Sequence, residues 1–163
     1  MNPVEALGFN EMALRLFIAV VVGGLLGLNR ELHGKPAGLT THALVALGTA
    51  IAATLALQVQ GNGAVMPDAN AISRIIQGTL TGIGFLGAGV IMRDAAGHVS
   101  GLTTAATIWV CAAIGLLCGL GYWSLIALSA VLVLAVLVFG HTVERFGTRM
   151  LKRPQGNTPD SEV

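Results

Sequence analysis

The sequence predicts an all-α integral membrane protein, a bundle of five transmembrane helices that contains two helical hairpins of the same topology. Hydrophobic residues make up 54% of the 163 residues and charged residues only 10%, whereas a soluble domain has roughly a quarter of its residues charged. The mean hydropathy is +0.77. Uncharged stretches long enough to cross a bilayer recur along the chain, and one sequence motif is repeated.

The apolar stretches are separated by short polar breaks, which gives the count of five. The first stretch is short, so Arg15 at its outer end is expected to extend its guanidinium to the interface; a segment that only dips into the membrane is the alternative. The uncharged residues from 100 to 140 are long enough for two crossings of about 20 residues each, with a turn at Gly119–Gly121. The predicted spans are Met12–Leu28, Ala43–Val59, Ile75–Met92 and two helices within Ser100–Gly140.

Four segments are expected along the chain. Residues 1–11 form an external N-terminal segment, and residues 12–140 form the transmembrane domain, with repeat units of about 11–59 and 74–121. Residues 141–153 form a basic juxtamembrane segment that continues the last helix at the lipid surface. Residues 154–163 are polar and are expected to be disordered.

The distribution of Lys and Arg predicts the orientation. An excess of these residues marks the cytoplasmic side of a membrane protein. The N-terminus is therefore expected outside and the C-terminus inside. The seven basic residues on the predicted cytoplasmic side are Arg30, Lys35, Arg93, Arg145, Arg149, Lys152 and Arg153, and the two on the other side are Arg15 and Arg74.

An internal repeat relates the first and second halves of the domain at an offset of 63 residues. Ten identities fall in register without a gap, so duplication is a better explanation than chance. The two hairpins are expected to share one topology, with a symmetry axis along the membrane normal. The motif residues Gly38, Thr40 and Thr41 recur as Gly101, Thr103 and Thr104, and Arg30 and Glu31 correspond to Arg93 and Asp94.

Glycines are concentrated on the predicted third helix. The segment Gly82–Gly87 formally matches a dinucleotide-binding fingerprint, but it lies within an apolar span and not between a strand and a helix. Close helix packing in lipid is the favoured interpretation, and a locally broken helix that lines a polar site is the alternative. The predicted helix-packing glycines are Gly23, Gly27, Gly78, Gly82, Gly84, Gly87 and Gly89.

Polar residues concentrate in the loop from Asn29 to His42, where Thr40 or Thr41 is expected to cap the second helix. One interpretation is that the charges here are interface anchors. The other is that the repeat gathers the two Arg–acid pairs around its axis, where they form a site for an ion or a partner. The predicted functional polar cluster is Arg30, Glu31, Lys35, His42, Arg74, Arg93 and Asp94.

Enzymatic activity is not expected, because no nucleophile, base and orienting group occur together. The histidines His33, His42 and His98 have no cysteines or second carboxylate at ligand spacing, so a zinc site is weakly supported and the metal is unknown. Cys111 and Cys118 are separated by about 10 Å along a helix, too far for a disulfide. The net charge of +1 does not suggest nucleic acid as a partner.

Three motifs resemble those of the MgtC/SapB family of bacterial inner-membrane proteins. They are Lys35–His42 followed by Ala46–Gly48, Arg74–Gly78 leading into Gly82–Gly89, and Gly101–Trp109. The resemblance implies a link to magnesium limitation and, in pathogens, to survival inside host cells. It also implies regulation of other membrane complexes, including ATP synthase and transport systems, although members are often labelled magnesium transporters.

The chain departs from the family pattern at two positions and in length. Family members commonly have Glu where this chain has Asn29 and Arg where it has Thr40. An ion-binding role for this loop is therefore less supported by the resemblance. Longer members carry a soluble C-terminal domain, which is not present in the sequence up to Val163.

The favoured function is a non-enzymatic membrane regulator that acts through helix contacts. A transporter or channel for Mg²⁺ or another small solute is the alternative, and a purely structural role is the third. No acidic residue falls within a predicted span, but Mg²⁺ keeps several waters and needs only one or two carboxylates, so a boundary site is left open. No other cofactor is expected. The expected partners are membrane lipid and other membrane proteins, and a homo-oligomer is left open.

Reporter fusions test the orientation. A reporter fused after Val163 should lie in the cytoplasm, and one inserted in the loop 60–71 should lie outside, because seven of the nine basic residues lie on one side. A cytoplasmic signal from both fusions would show that the helix count is wrong.

Overall fold

The structure is a computed structural model. It describes residues 7–61, 69–93, 95 and 97–151, and only the backbone of residues 59–61, 69, 71 and 141–151. Asp94, most of the loop 60–71 and the tail 154–163, which carry several of the sequence-based expectations, lie outside the described residues. The prediction of an all-α chain with five helices is confirmed. The helices are α1 (Phe9–Leu32), α2 (Leu39–Gly61), α3 (Ala69–Val90), α4 (Leu102–Leu120) and α5 (Trp123–Leu151).

Four of the five helices are long and apolar enough to cross a membrane: Phe9–Leu32, Leu39–Gln58, Leu102–Leu120 and Trp123–Gly140. α3 has 22 residues, which at 1.5 Å per residue span about 33 Å, so its length would suffice. It is not among the four helices that are apolar enough, and its sequence includes polar residues such as Arg74. A bilayer crossing by α3 therefore remains a prediction.

The turn between α4 and α5 lies where the glycines predict it. Gly121 follows the last residue of α4 and has a φ of +79°, a conformation that glycine adopts without steric cost. The N–H of Gly121 bonds to the carbonyl of Cys118, and the N–H of Tyr122 bonds to that of Leu117. This pair of bonds is a Schellman motif, which satisfies the last carbonyls of a helix.

A short antiparallel hairpin, which the sequence analysis does not predict, joins α3 to α4. Its strands are β1 (Met92–Arg93) and β2 (Val99–Ser100), and Met92 pairs with Ser100. Strands of two residues are too short to produce the alternation by which a strand is recognised in a sequence.

α2 packs against α1, α3 and α4, and small residues make its contacts with α1 and α4 close. A Cβ added to Gly23 would lie 2.7 Å from the Ala46 Cβ, and one added to Gly27 would lie 2.7 Å from the Leu39 Cα. On α4, a Cβ added to Gly115 would lie 2.8 Å from the Ala46 Cα. These backbones touch because no side chain separates them, as is typical of helix pairs in lipid.

The core between these helices is correspondingly built from small side chains. α2 contributes Ala46, Ala50 and Ala53, and α4 contributes Ala112 and Cys111, all of them buried. Both cysteines of the chain are buried and free, which agrees with the expectation that they do not form a disulfide.

Residues from Val131 onward form a second compact unit, described by itself. Here α5 continues without a break to Leu151. Large apolar side chains between 131 and 140 are mostly exposed, and Val136 is 70% exposed. Such a surface suits contact with lipid.

The internal repeat remains a prediction. Two features occur at corresponding positions, because α2 begins at Leu39 and α4 begins at Leu102, and because Gly34 and Gly97 both have positive φ. Other corresponding positions differ. Arg30 is buried, whereas Arg93 is exposed.

Candidate functional site

The candidate site lies where α1 ends and α4 begins, and its central residue is Arg30. This side chain, in the last turn of α1, is only 2% exposed. Its Nη2 donates a hydrogen bond of 2.6 Å to the Thr104 Oγ1 in the first turn of α4, while its Nε has no partner. Within the part of the chain that the structure describes, Arg30 forms no ion pair. A buried cation that has an N–H group without a partner and no ion pair is stabilised by a further hydrogen-bond acceptor.

Backbone geometry after α1 places Lys35 near Arg30. Gly34 adopts the left-handed conformation with a φ of +63°, and the N–H groups of His33 and Lys35 both bond to the Arg30 carbonyl. This arrangement satisfies a terminal carbonyl of α1 and reverses the chain direction.

A cavity of about 350 Å³ lies beside these residues. Its lining includes Arg30, Lys35, Gly101, Thr103 and Thr104. Met92 and Ser100 of the short hairpin also line it. The cavity lining therefore combines two cationic residues, three residues with hydroxyl groups and the start of a helix.

Glu31 caps α2. The Glu31 Oε2 accepts a hydrogen bond of 3.0 Å from the N–H of Leu39, the first residue of that helix. A carboxylate at this position also interacts favourably with the positive end of the helix dipole. The expectation that Thr40 or Thr41 caps α2 is wrong, because the helix begins before them and both lie within its first turn.

His42 is fully buried on α2. Its Nδ1 lies 3.0 Å from the Gly38 carbonyl oxygen, which can only accept, so the geometry assigns the proton to Nδ1. In the part of the chain that the structure describes, the Nε2 has no hydrogen-bond partner. The His42 carbonyl accepts from the Cys111 Sγ at 3.2 Å, which ties the start of α2 to α4.

The opposite end of α1 carries a second arginine that bonds to α4. The Arg15 Nε bonds to Glu11 at 2.8 Å, and its Nη1 donates to the Gly119 carbonyl at 2.8 Å. The Thr54 hydroxyl lies 3.4 Å from the same carbonyl oxygen. Arg15 thus satisfies a terminal carbonyl of α4, and its position at the membrane interface stays a prediction.

The structure does not bring the predicted polar cluster together as a whole. Arg30 and Lys35 share the cavity, whereas Arg93 is exposed in β1 beside Gly97. Among the described residues, Glu31 and Arg93 form no ion pair, because the Glu31 carboxylate is directed to α2. Arg74 lies near the start of α3, where Asn70, Ser73 and Gln77 line a separate cavity of about 460 Å³. Asp94 lies outside the described residues.

The predicted packing glycines fall into two groups. Gly23 and Gly27 lie against α2. A Cβ added to Gly87 would lie 3.6 Å from the Ala105 Cβ of α4, an ordinary van der Waals distance. In contrast, a Cβ added to any of four α3 glycines would meet no atom within 4 Å. Contacts with the described residues therefore do not account for these glycines, which are Gly78, Gly82, Gly84 and Gly89.

An apolar groove of about 500 Å³ runs between α2 and α3. Gly78, Gly82 and Leu86 line it from α3, and Leu44 and Gly48 line it from α2. The groove is open on one side, so that Gly78 and Gly82 are accessible to another molecule.

Sequence reasoning missed Gly115 and Gly119, although their spacing is that of Gly23 and Gly27. A Cβ added to Gly119 would lie 2.7 Å from the Ala53 Cβ. The spacing was a usable signal. The pairing of Arg30 with Thr104 was not predicted either. The sequence carries no signal for it, because the two residues are 74 positions apart.

These features define a polytopic α-helical membrane protein whose helices pack through small residues. The chain belongs to the MgtC family, since residues 16–146 match that family. The resemblance of the three motifs to the MgtC/SapB family is thereby confirmed. No solved structure matches the chain.

Three relatives illustrate the similarity. Protein SrpB of Synechococcus elongatus is 45% identical over 121 residues, which are 70% of this chain and 66% of that protein. An uncharacterized protein of Haemophilus influenzae is 34% identical over 154 residues, 93% of this chain and 63% of its own length. Protein MgtC of Brucella abortus is 40% identical over 118 residues, 72% of this chain and 46% of that protein. The chain thus spans about half to two thirds of these curated relatives.

Replacing Thr104 tests the bond between α1 and α4. Thr104→Val should lower the free energy of unfolding by about 1.5–3 kcal/mol, since it removes a hydrogen bond to a buried charged group. Thr104→Ser keeps the acceptor and should be milder. Thr41→Val is the matched control, since Thr41 is the exposed equivalent in the repeated motif, and it should change the free energy by less than about 0.5 kcal/mol. Equal losses from Thr104→Val and Thr41→Val in a denaturant titration would contradict the pairing.

Proposed function

We propose that this protein is a non-enzymatic regulator in the bacterial inner membrane that acts on other membrane proteins through contacts between transmembrane helices. Its proposed link to magnesium homeostasis rests on its membership of the MgtC family. The N-terminus is proposed to lie outside and the C-terminus in the cytoplasm, because of the distribution of Lys and Arg.

The observation that carries this proposal is the uncontacted glycine face of α3. At 100° per residue, Gly78, Gly82 and Gly89 fall within about 40° of one another on one side of the helix. All three are exposed, and no atom of the described residues would lie within 4 Å of a Cβ added to any of them. The side chain of Phe85, on the same side, is 83% exposed.

The same spacing has a defined role elsewhere in this chain. Gly23 and Gly27 on α1 allow the backbone of α2 to approach, and Gly115 and Gly119 on α4 do the same. Glycines four residues apart make a shallow surface against which another helix packs in lipid. The pair Gly78 and Gly82 presents such a surface without an occupant among the described residues.

We assign this surface, together with the groove beside it, to a transmembrane helix of a partner protein. The groove is apolar and has a volume of about 500 Å³, lined by side chains such as Leu44, Val45 and Leu86. An apolar groove suits an apolar helix, and in lipid the contact is stabilised mainly by close packing. A second copy of this chain would be the other occupant.

The alternative, a Mg²⁺ transporter or channel, finds less support in the charges at the loop end of the bundle. The cavity there presents Arg30 and Lys35, and cations repel a divalent cation. Among the residues described, no group of three or more His, Cys, Asp or Glu side chains is placed to hold a metal.

Leucine substitutions on two sides of α3 test the proposal. Gly82→Leu should reduce growth in low magnesium at least about tenfold in a strain that depends on this protein, because the side chain obstructs the helix contact. Gly84→Leu is the matched control, since Gly84 is equally free of contacts but lies on nearly the opposite side of α3. Both variants should accumulate to the wild-type level.

Two further measurements separate the alternatives. Loss of a self-crosslinked dimer in Gly82→Leu would assign the surface to a second copy of the chain. Mg²⁺ flux into liposomes that contain only the purified protein would support the transporter. Equal growth of the Gly82→Leu and Gly84→Leu strains would contradict the docking surface.

A further inference from the structure

We propose that the cavity beside Arg30 and Lys35 binds a phosphate group, carried either by an anionic lipid or by inorganic phosphate in solution. This inference does not depend on the proposed contact of α3 with a partner helix. It rests on the charge, the hydrogen-bonding groups and the position of the cavity.

The charge of the cavity favours an anion. Arg30 lines it with a side chain that is 98% buried, and its Nε has no partner. Lys35 is exposed and lines the same cavity. Among the described lining residues there is no carboxylate. A buried guanidinium without a counterion is unfavourable, and an oxyanion supplies both the opposite charge and acceptor oxygens in a geometry that suits arginine.

The start of α4 adds donors to the same cavity. Gly101 precedes the helix and has no side chain that could cap the first N–H groups of α4. The hydroxyl groups of Thr103 and Thr104 line the cavity beside them. A helix N-terminus attracts phosphate through its first N–H groups and its dipole. The nearby Arg30 carbonyl does not repel an anion strongly, because two N–H groups already bond to it.

The backbone around Gly101 fixes this helix start. Gly101 has a φ of +86°, and a Cβ added there would lie 2.9 Å from the Val90 carbonyl carbon. Only glycine allows this conformation and this contact together. The cavity volume of about 350 Å³ is within the range for small-ligand sites.

The position of the cavity brings both sources of phosphate within reach. The apolar span of α1 ends at Leu32, and that of α4 begins at Leu102. The cavity therefore lies at the level where the spans end, which is the level of the lipid headgroups. A lipid phosphate can enter from the bilayer, and a dissolved phosphate can enter from the water.

Thermal unfolding of the full chain in a neutral detergent tests the proposal. Cys111 and Cys118 are buried and free, so a thiol-reactive fluorophore reports when the bundle opens. One arm compares sodium phosphate with sodium chloride at equal ionic strength. The other compares phosphatidylglycerol with phosphatidylcholine in mixed micelles. We expect a saturable rise in Tm with sodium phosphate, with phosphatidylglycerol or with both. A rise with sodium phosphate indicates that the cavity binds free phosphate. A rise with phosphatidylglycerol alone indicates that it binds a lipid.

Two charge-matched variants decide whether the binding occurs at this cavity. Lys35→Gln should raise the half-saturating concentration about fivefold, the effect of one basic residue near an anionic group. Arg93→Gln removes an exposed cation that does not line the cavity, and it should change that concentration less than twofold. A wild-type Tm unaffected by both probes, or equal weakening in the two variants, would overturn the proposal.

Discussion

The structure depends on the close approach of α2 to α1 and α4. At four glycines, two on α1 and two on α4, the absence of a Cβ lets one helix backbone rest against the next. In lipid, apolar side chains gain little by leaving their solvent, so close packing and hydrogen bonds must hold the helices together. The small core residues Ala46, Ala50 and Ala53 of α2 follow from the same constraint.

This packing positions the polar groups. With α1 and α4 held close, Arg15 reaches Gly119 at one end of the pair, and Arg30 reaches Thr104 at the other. The two arginines are 15 positions apart, and so are their two partners, which corresponds to about 22 Å along each helix. The matched spacing fits two antiparallel helices joined at both ends. It also leaves the Arg30 guanidinium beside a cavity, where N–H groups that are not used in the bond to Thr104 can bind another group.

Much of the fold could be predicted from the sequence, because length, hydropathy and glycine turns are local signals. The five helices, the turn at Gly121 and the family motifs are all confirmed. The site was harder to predict. Glu31 caps α2, Arg30 reaches Thr104, and Arg93 remains exposed, although the repeat treats Arg30 and Arg93 as equivalent. These differences arise from tertiary contacts, and the sequence around each arginine does not distinguish them.

A pair of alanine substitutions measures the central constraint most directly. A Cβ added to Gly115 would meet the α2 backbone, whereas one added to Gly48 would meet nothing within 4 Å. Gly115→Ala should therefore lower the free energy of unfolding in mixed micelles by about 1–3 kcal/mol through overpacking. Gly48→Ala should leave it unchanged or raise it by up to about 1 kcal/mol, because alanine favours the helix. If the two substitutions changed the free energy alike, close backbone packing would not be what holds the helices together.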